Sequence, residues 1–128
     1  MNPFVLDPPF EQSPRRRKYC LLGLIVCLVT GLVLSFTYRP FIYENSINDW
    51  HLADTLGNIV AVPAAAFFFY AVQKKVSLSI VGVLAVDFLA WCLYEALISL
   101  TFDWWDILAS FIMCLVTYPI LKRMEKIR

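Results

Sequence analysis

The 128-residue chain has little charge, little glycine and almost no histidine. Charged residues make up 16% of the sequence, which contains 4 glycines and 1 histidine, while 60% of the residues are hydrophobic. A soluble domain typically carries about 25% charged residues, and so short a chain buries only part of its surface. This composition excludes an ordinary soluble enzyme, a disordered tail and a disulfide-stapled secreted module, and it indicates an integral membrane protein.

The cysteines and the histidine do not have the spacing of a redox or metal site. All four cysteines fall within apolar stretches, without a CxxC or Cys/His pattern, so we expect packing residues rather than a disulfide framework or zinc ligands. They are Cys20, Cys27, Cys92 and Cys114. The sequence also lacks a serine-histidine-acid set, a phosphate-binding glycine loop and a paired-histidine motif. Nothing in it indicates an enzyme, and no cofactor is expected.

Long hydrophobic runs take up most of the chain. A helix needs about 20 mostly apolar residues to cross a bilayer, and four stretches are long enough. They cover about residues 19–38, 52–72, 76–97 and 104–121. We therefore predict an all-α membrane protein, a four-transmembrane-helix up-down bundle over residues 19–121. A proline-rich and then basic tail precedes it over residues 1–18, and a basic tail follows over residues 122–128.

The basic residues predict how this bundle is oriented. Lysine and arginine favour the cytoplasmic side in short loops. Ten of the eleven lie before the first stretch, between the second and third, or after the fourth. An up-down bundle places these segments on one side, so we expect both termini to be cytoplasmic in a multi-pass inner-membrane protein. With three acids the cytoplasmic segments carry +7, whereas the external ones, with Arg39 against six acids, carry −5.

The segment before the first hydrophobic stretch contains four of the seven prolines. Proline removes a backbone donor and fixes its own backbone angle, so residues 1–14 are expected to form no regular helix or strand. A solvated, extended tail is one interpretation, and a short docking peptide is the other. The first stretch is too long for a signal-peptide core and lacks a small-x-small cleavage site, so we expect it to stay uncleaved.

Asp87 is the charged residue expected deepest in the membrane. It lies twelve residues beyond Lys75, about 18 Å along a helix and near the midplane. Because burial disfavours the charged form and no basic residue has a similar depth, the carboxyl group is expected to carry a proton. Two interpretations stay open. One is a proton or ion pathway; the other is a polar clamp between helices that bonds Thr30 or carbonyls freed near Pro63.

A second polar group is expected at the external ends of the helices, and we call it the outer mouth. The second helix begins, the third ends and the fourth begins at this level, so their polar residues can converge. The outer mouth consists of Asp54, Asn58, Glu95, Asp103 and Asp106, with Arg39 and His51 as accessory residues. Its carboxylates suit a hard cation, a lipid-linked phosphate bound through that cation, or acid-base chemistry. Whether a metal binds there stays open.

Each residue of the outer mouth also has a structural interpretation. Asp54, Asp103 and Asp106 lie where helices begin, and carboxylates there bond free backbone N–H groups and suit the helix dipole. Glu95 can pair with Arg39, and His51 in a loop can simply be solvated. The common level of the acids is the reason to treat them as one candidate site.

The last third of the chain, YEALISLTFDWWDILASFIMCLVTYPI, carries an acid at a helix end, a loop and an Asp-x-x-Asp step before its final helix. Glu95, Asp103 and Asp106 occupy these three positions. The arrangement resembles the closing segment of VanZ-like membrane proteins, a bacterial family associated with the cell envelope and glycopeptide resistance. The chain has Ile98 where the family has Gln and Ser110 where it has Asn. This distant or degenerate resemblance implies a bacterial inner-membrane protein.

Three functional hypotheses follow. The first is a VanZ-like protein that acts in the cell envelope through the outer mouth. The second is an oligomeric ion or proton pathway that uses Asp87. The third is a membrane-embedded toxin, immunity protein or assembly subunit that acts through its proline-rich tail or its basic ends. The bilayer is the expected partner in all three, with a homo-oligomer or a membrane partner protein possible, and no nucleic acid.

Overall fold

The computed structural model describes residues 2–98 and 103–127. About three quarters (74%) of the described residues are helical, because the long apolar runs are interrupted only at a few turn-forming segments. The helices are α1 (Pro14–Phe36), α2 (Tyr38–Glu44), α3 (Leu52–Val72), α4 (Ile80–Leu97) and α5 (Trp104–Met124), and the strands are β1 (Val5–Glu11) and β2 (Lys75–Leu78).

Four helical segments are long and apolar enough to cross a membrane, as the hydrophobic runs predict. They are Pro14–Glu44, which joins α1 and α2, and then α3, α4 and α5. A helix of 21 residues, the length of α3 and α5, spans about 30 Å, the thickness of the hydrocarbon core. By length and composition the chain is therefore a multi-pass membrane protein.

The central element is α3, which packs against α1, α4 and α5, while α4 also packs against α5. Two glycines bring α1 close to α3. A Cβ atom on Gly23 would lie 3.1 Å from the ring of Phe67, and one on Gly31 would lie 2.9 Å from Val60. Small residues allow this approach between membrane helices. Most other side chains of α1 are exposed, so this helix lines the edge of the bundle.

The N-terminal segment forms a strand, and the prediction that it contains no regular structure is wrong. β1 runs antiparallel to β2, with Val5 opposite Leu78 and Phe10 opposite Val76. The register is irregular between these pairs, and Pro8 falls within that interval. Proline is tolerated at such irregularities because no ladder hydrogen bond is required there. The connection before α4 is therefore a strand, so α4 begins at Ile80 rather than near residue 76.

Gln12 and Arg17 attach this segment to the end of α3. The buried Gln12 side chain donates from Nε2 to the carbonyl oxygens of Tyr70 at 2.8 Å and Gln73 at 2.7 Å. Nε of Arg17 donates to the carbonyl oxygen of Ala71 at 3.2 Å. The last carbonyls of a helix lack intrahelical partners, so these two side chains supply donors that the backbone of α3 needs.

Arg16 makes the same kind of contact with α5. Its Nε donates to the carbonyl oxygen of Met124 at 3.1 Å, and its guanidinium also bonds the carbonyl oxygen of Glu125. The start of α1, the end of α3 and the end of α5 are thus joined at one end of the bundle, which we call the basic end. The four spans therefore run alternately up and down. The outer-mouth residues lie at the opposite end of the bundle, which we call the acidic end.

Candidate functional site

The end of α4 and the start of α5 are joined through two acids of the outer mouth. Asp103 precedes α5 as its N-cap and accepts a hydrogen bond from the backbone N–H of Trp105 at 2.9 Å. Glu95, whose side chain lies near the end of α4, is only 4% exposed, and its Oε2 accepts from the backbone N–H of Asp103 at 3.4 Å. The capping role considered for Asp103 is therefore present in the structure.

Asp106 lies in the first turn of α5 and forms a carboxyl pair with Glu95. The two carboxyl groups lie close enough to interact with each other. Oδ1 of Asp106 is buried and has no partner within the described part of the chain. Capping of α5 accounts for the position of Asp103. It does not account for Asp106, whose Oδ1 accepts no hydrogen bond from the described residues.

Asn58 joins α3 to α5 beneath this pair. Its Nδ2 donates to Oγ of Ser110 at 2.9 Å and to the carbonyl oxygen of Asp106 at 3.2 Å. Ser110 is fully buried and donates to the same carbonyl oxygen at 2.9 Å. From the sequence, Ser110 is only a difference from the VanZ-like pattern. Its spacing of one helical turn after Asp106 is the signal that could have identified it as part of the site.

Asp54 belongs to a second, more exposed group beside the carboxyl pair. The hydroxyl of Tyr43 donates to Oδ1 of Asp54, and Nδ1 of His51 lies 3.4 Å from Oδ2, with both side chains about half exposed. Arg39 donates from Nε to the hydroxyl of Tyr43 at 3.3 Å. Sequence reasoning missed Tyr43, since a tyrosine at a helix end is usually a membrane-interface residue.

Two expectations about the accessory residues differ from the structure. Arg39 contacts Tyr43 instead of pairing with Glu95, because α2 carries it toward the exposed group. His51 is more than a solvated loop residue. Its ring stacks on Trp105, with the centroids 4.9 Å apart and an interplanar angle of 19°. This stack connects the start of α3 to the start of α5.

The outer-mouth residues therefore lie at one end of the bundle in two neighbouring groups. Glu95, Asp103 and Asp54 all lie close enough to Asp106 to act electrostatically on its carboxyl group. Within residues 2–98 and 103–127, no group of three or more His, Cys, Asp or Glu side chains is arranged to hold a metal ion. The arrangement is an acidic surface with the buried Glu95 and the half-buried Asp106 at its base.

Asp87 lies apart from the outer mouth, in the apolar part of α4. The side chain is buried and interacts with the indole of Trp91, and its Oδ2 has no hydrogen-bond partner among the described residues. Thr30 is exposed on α1, and the structure shows no hydrogen bond between it and Asp87. The polar clamp to Thr30 is therefore not present, and the carboxyl group is left facing a cavity.

Comparison with protein-family models, curated proteins and solved structures finds no significant match to this chain. The VanZ-like resemblance stays a prediction that depends on Glu95, Asp103 and Asp106. The function must accordingly be inferred from the geometry of the two polar sites.

Proposed function

We propose that the protein is a VanZ-like multi-pass protein of the bacterial inner membrane that acts in the cell envelope through its outer mouth. Its termini and basic end then lie in the cytoplasm. The separation of charge supports this orientation, since lysine and arginine gather at one end of the bundle and the acids of Asp54, Glu95, Asp103 and Asp106 gather at the other. Short basic loops favour the cytoplasmic side.

The outer mouth is proposed to bind a cationic group of an envelope component. The observation that carries this proposal is the Glu95–Asp106 pair, which has a buried acceptor without a partner and no ion pair to a lysine or arginine in the described residues. An ammonium group supplies the missing donor and the missing charge. The His51–Trp105 stack beside the pair offers aromatic faces that also favour a cation.

A complementation experiment tests this function. The triple variant Asp54→Asn, Glu95→Gln and Asp106→Asn replaces three of the four acids of the outer mouth with amides of similar size. We expect it to lose the ability to restore the envelope phenotype of a deletion strain, although its amount in the membrane is unchanged. Glu44→Gln is the matched control, because it removes an exposed acid at the same end. Full activity of the triple variant would exclude the outer mouth as the site.

A second candidate function is an oligomeric proton or ion pathway through Asp87. The unpartnered Oδ2 within the apolar part of α4 favours it, since intramembrane carboxyl groups are expensive and commonly serve transport. Reconstituted protein should then give a pH-dependent flux into liposomes that disappears in Asp87→Asn. An equal flux in the variant would exclude this pathway.

The third hypothesis, a partner protein bound through the tail, needs a different test from simple truncation. Deleting residues 1–14 also removes β1 and the Gln12 side chain that holds the end of α3. Loss of activity in such a truncation therefore has a structural cause. Charge reversal at the exposed Asp7 and Glu11 leaves the main chain in place and is the sharper experiment, with loss of activity favouring a docked partner.

A further inference from the structure

A cavity of about 250 Å³ lies between α3 and α4, and Asp87 forms part of its wall. α3 contributes Ala65 and Phe69, and α4 contributes Val86 and Trp91. Asp87 is the seventh residue after Ile80, so it lies about 10 Å along a helix with a rise of 1.5 Å per residue. The cavity is therefore in the apolar region of the bundle, away from the outer mouth.

The cavity is partly open, and its wall reaches the exposed side of α4. Val86, which lines it, is 58% exposed, whereas Asp87 itself is only 8% exposed. A molecule dissolved in the bilayer can thus enter between α3 and α4 without passing through either end of the bundle. Apart from Asp87, the wall consists of small aliphatic and aromatic side chains, so the occupant must be largely apolar.

Asp87 determines the polar group that such an occupant must carry. Its Oδ2 is buried and unbonded, and the lysines and arginines all lie near the ends of the helical spans. A buried carboxyl oxygen that accepts no hydrogen bond is costly. Trp91 and Phe69 place aromatic rings in the same wall, and aromatic faces attract ammonium groups. An amine is the group that satisfies both the acid and the rings.

We propose that this cavity binds a small apolar molecule with a single amine, which pairs with Asp87. If the carboxyl group is protonated when the free amine arrives, its proton moves to the amine nitrogen and leaves an ammonium–carboxylate pair. No net charge then enters the bilayer. The volume lies just below the range of typical drug sites, so the ligand is about the size of one aromatic ring with a short aminoalkyl chain.

A second copy of this chain is the less suitable occupant. Its spans carry no lysine or arginine in their apolar centres, so a second copy offers Asp87 no cationic group. Self-association that depends on Asp87 is accordingly an outcome that would overturn the proposal.

Equilibrium binding of radiolabelled 2-phenylethylamine to the full chain in nanodiscs tests this site, after subtraction of uptake by empty nanodiscs. We expect saturable binding of one molecule per chain. Replacing the amine with the alcohol 2-phenylethanol should weaken binding roughly tenfold to a hundredfold, the effect of one hydrogen bond to a charged group. Asp87→Asn should weaken amine binding to the same extent, and Glu44→Gln should have no effect.

A cavity-filling variant keeps the test decisive if Asp87→Asn fails to fold. Ala65→Leu places a larger side chain in the cavity and should abolish saturable binding, whereas Ala96→Leu, an exposed position on α4 outside the cavity, should preserve it. Binding no greater than that of empty nanodiscs, or equal binding by Ala65→Leu, would overturn the proposal. So would a dimer, detected by cross-linking, that dissociates in Asp87→Asn.

Discussion

Gly82 lies in the first turn of α4, where the backbone of the N-terminal segment crosses the helix. A Cβ atom on this residue would lie 2.2 Å from the carbonyl oxygen of Phe4 and 3.1 Å from its carbonyl carbon. A carbon atom approaches a carbonyl oxygen no closer than about 3.3 Å. Gly82→Ala must therefore push the Phe4 backbone away by about 1 Å, since no flexible side chain is available to move instead.

That displacement breaks two hydrogen bonds that hold the segment. The backbone N–H of Ser79 donates to the carbonyl oxygen of Phe4 at 3.0 Å, and Oγ of Ser79 donates to that of Pro3 at 2.6 Å. At about 1 kcal/mol for each bond, local opening becomes easier by about 2 kcal/mol, or roughly thirtyfold. Alanine gains about 1 kcal/mol over glycine within a helix, so global stability should change much less than local opening.

Hydrogen exchange of the backbone amides in Val5–Glu11 measures this effect in nanodiscs. We expect faster exchange by about one order of magnitude or more in Gly82→Ala. Gly57→Ala is the matched control, because no atom lies within 4 Å of its added Cβ, and it should leave exchange in β1 unchanged. Equal protection of β1 in the two variants would show that this segment does not cross α4 at Gly82.

Three further substitutions test single contacts by equilibrium unfolding. Gln12→Ala removes two hydrogen bonds to the end of α3 and should lower the free energy of unfolding by about 2 kcal/mol. Glu11→Ala, at an exposed position, should change the free energy of unfolding little. Equal stability of the two variants would contradict the contact between Gln12 and α3. Asn58→Ala leaves Ser110 without its Nδ2 donor and should cost about 1–2 kcal/mol, with no loss indicating that α3 and α5 are not joined there. Asp103→Ala removes the N-cap of α5 and should cost about 1 kcal/mol, which Asp103→Ser, also able to cap, should largely restore.

The four long apolar helices could be predicted because their signal is local. Each apolar run is long enough to span a bilayer, and its small number of charged residues is visible without knowing its neighbours. The position of Asp87 in an apolar helix followed from the same counting. Helix ends were less predictable. α1 begins at Pro14, with Ser13 as its N-cap, so the basic residues that were expected before the helix lie in its first turns.

The N-terminal strand and the contacts within the outer mouth could not be predicted, because both depend on partners distant in sequence. Pro8 and Pro9 argue against a strand when they are considered alone. They are accommodated in β1 because its pairing with β2 is irregular between Val5 and Phe10. Gln12 has no local feature that indicates a cap for α3, 58 residues away. Similarly, Tyr43 reaches Asp54 only because α2 turns back toward α3.

We propose that the acidic end faces the outside of the cell, where it acts on the envelope. Single cysteines introduced at Asn48 and at Lys126, in a variant without the four native cysteines, test it with a membrane-impermeant maleimide on intact cells. Asn48→Cys should be labelled, and Lys126→Cys should be labelled only after the membrane is opened. The reverse pattern would contradict this orientation, because it would place the outer mouth in the cytoplasm.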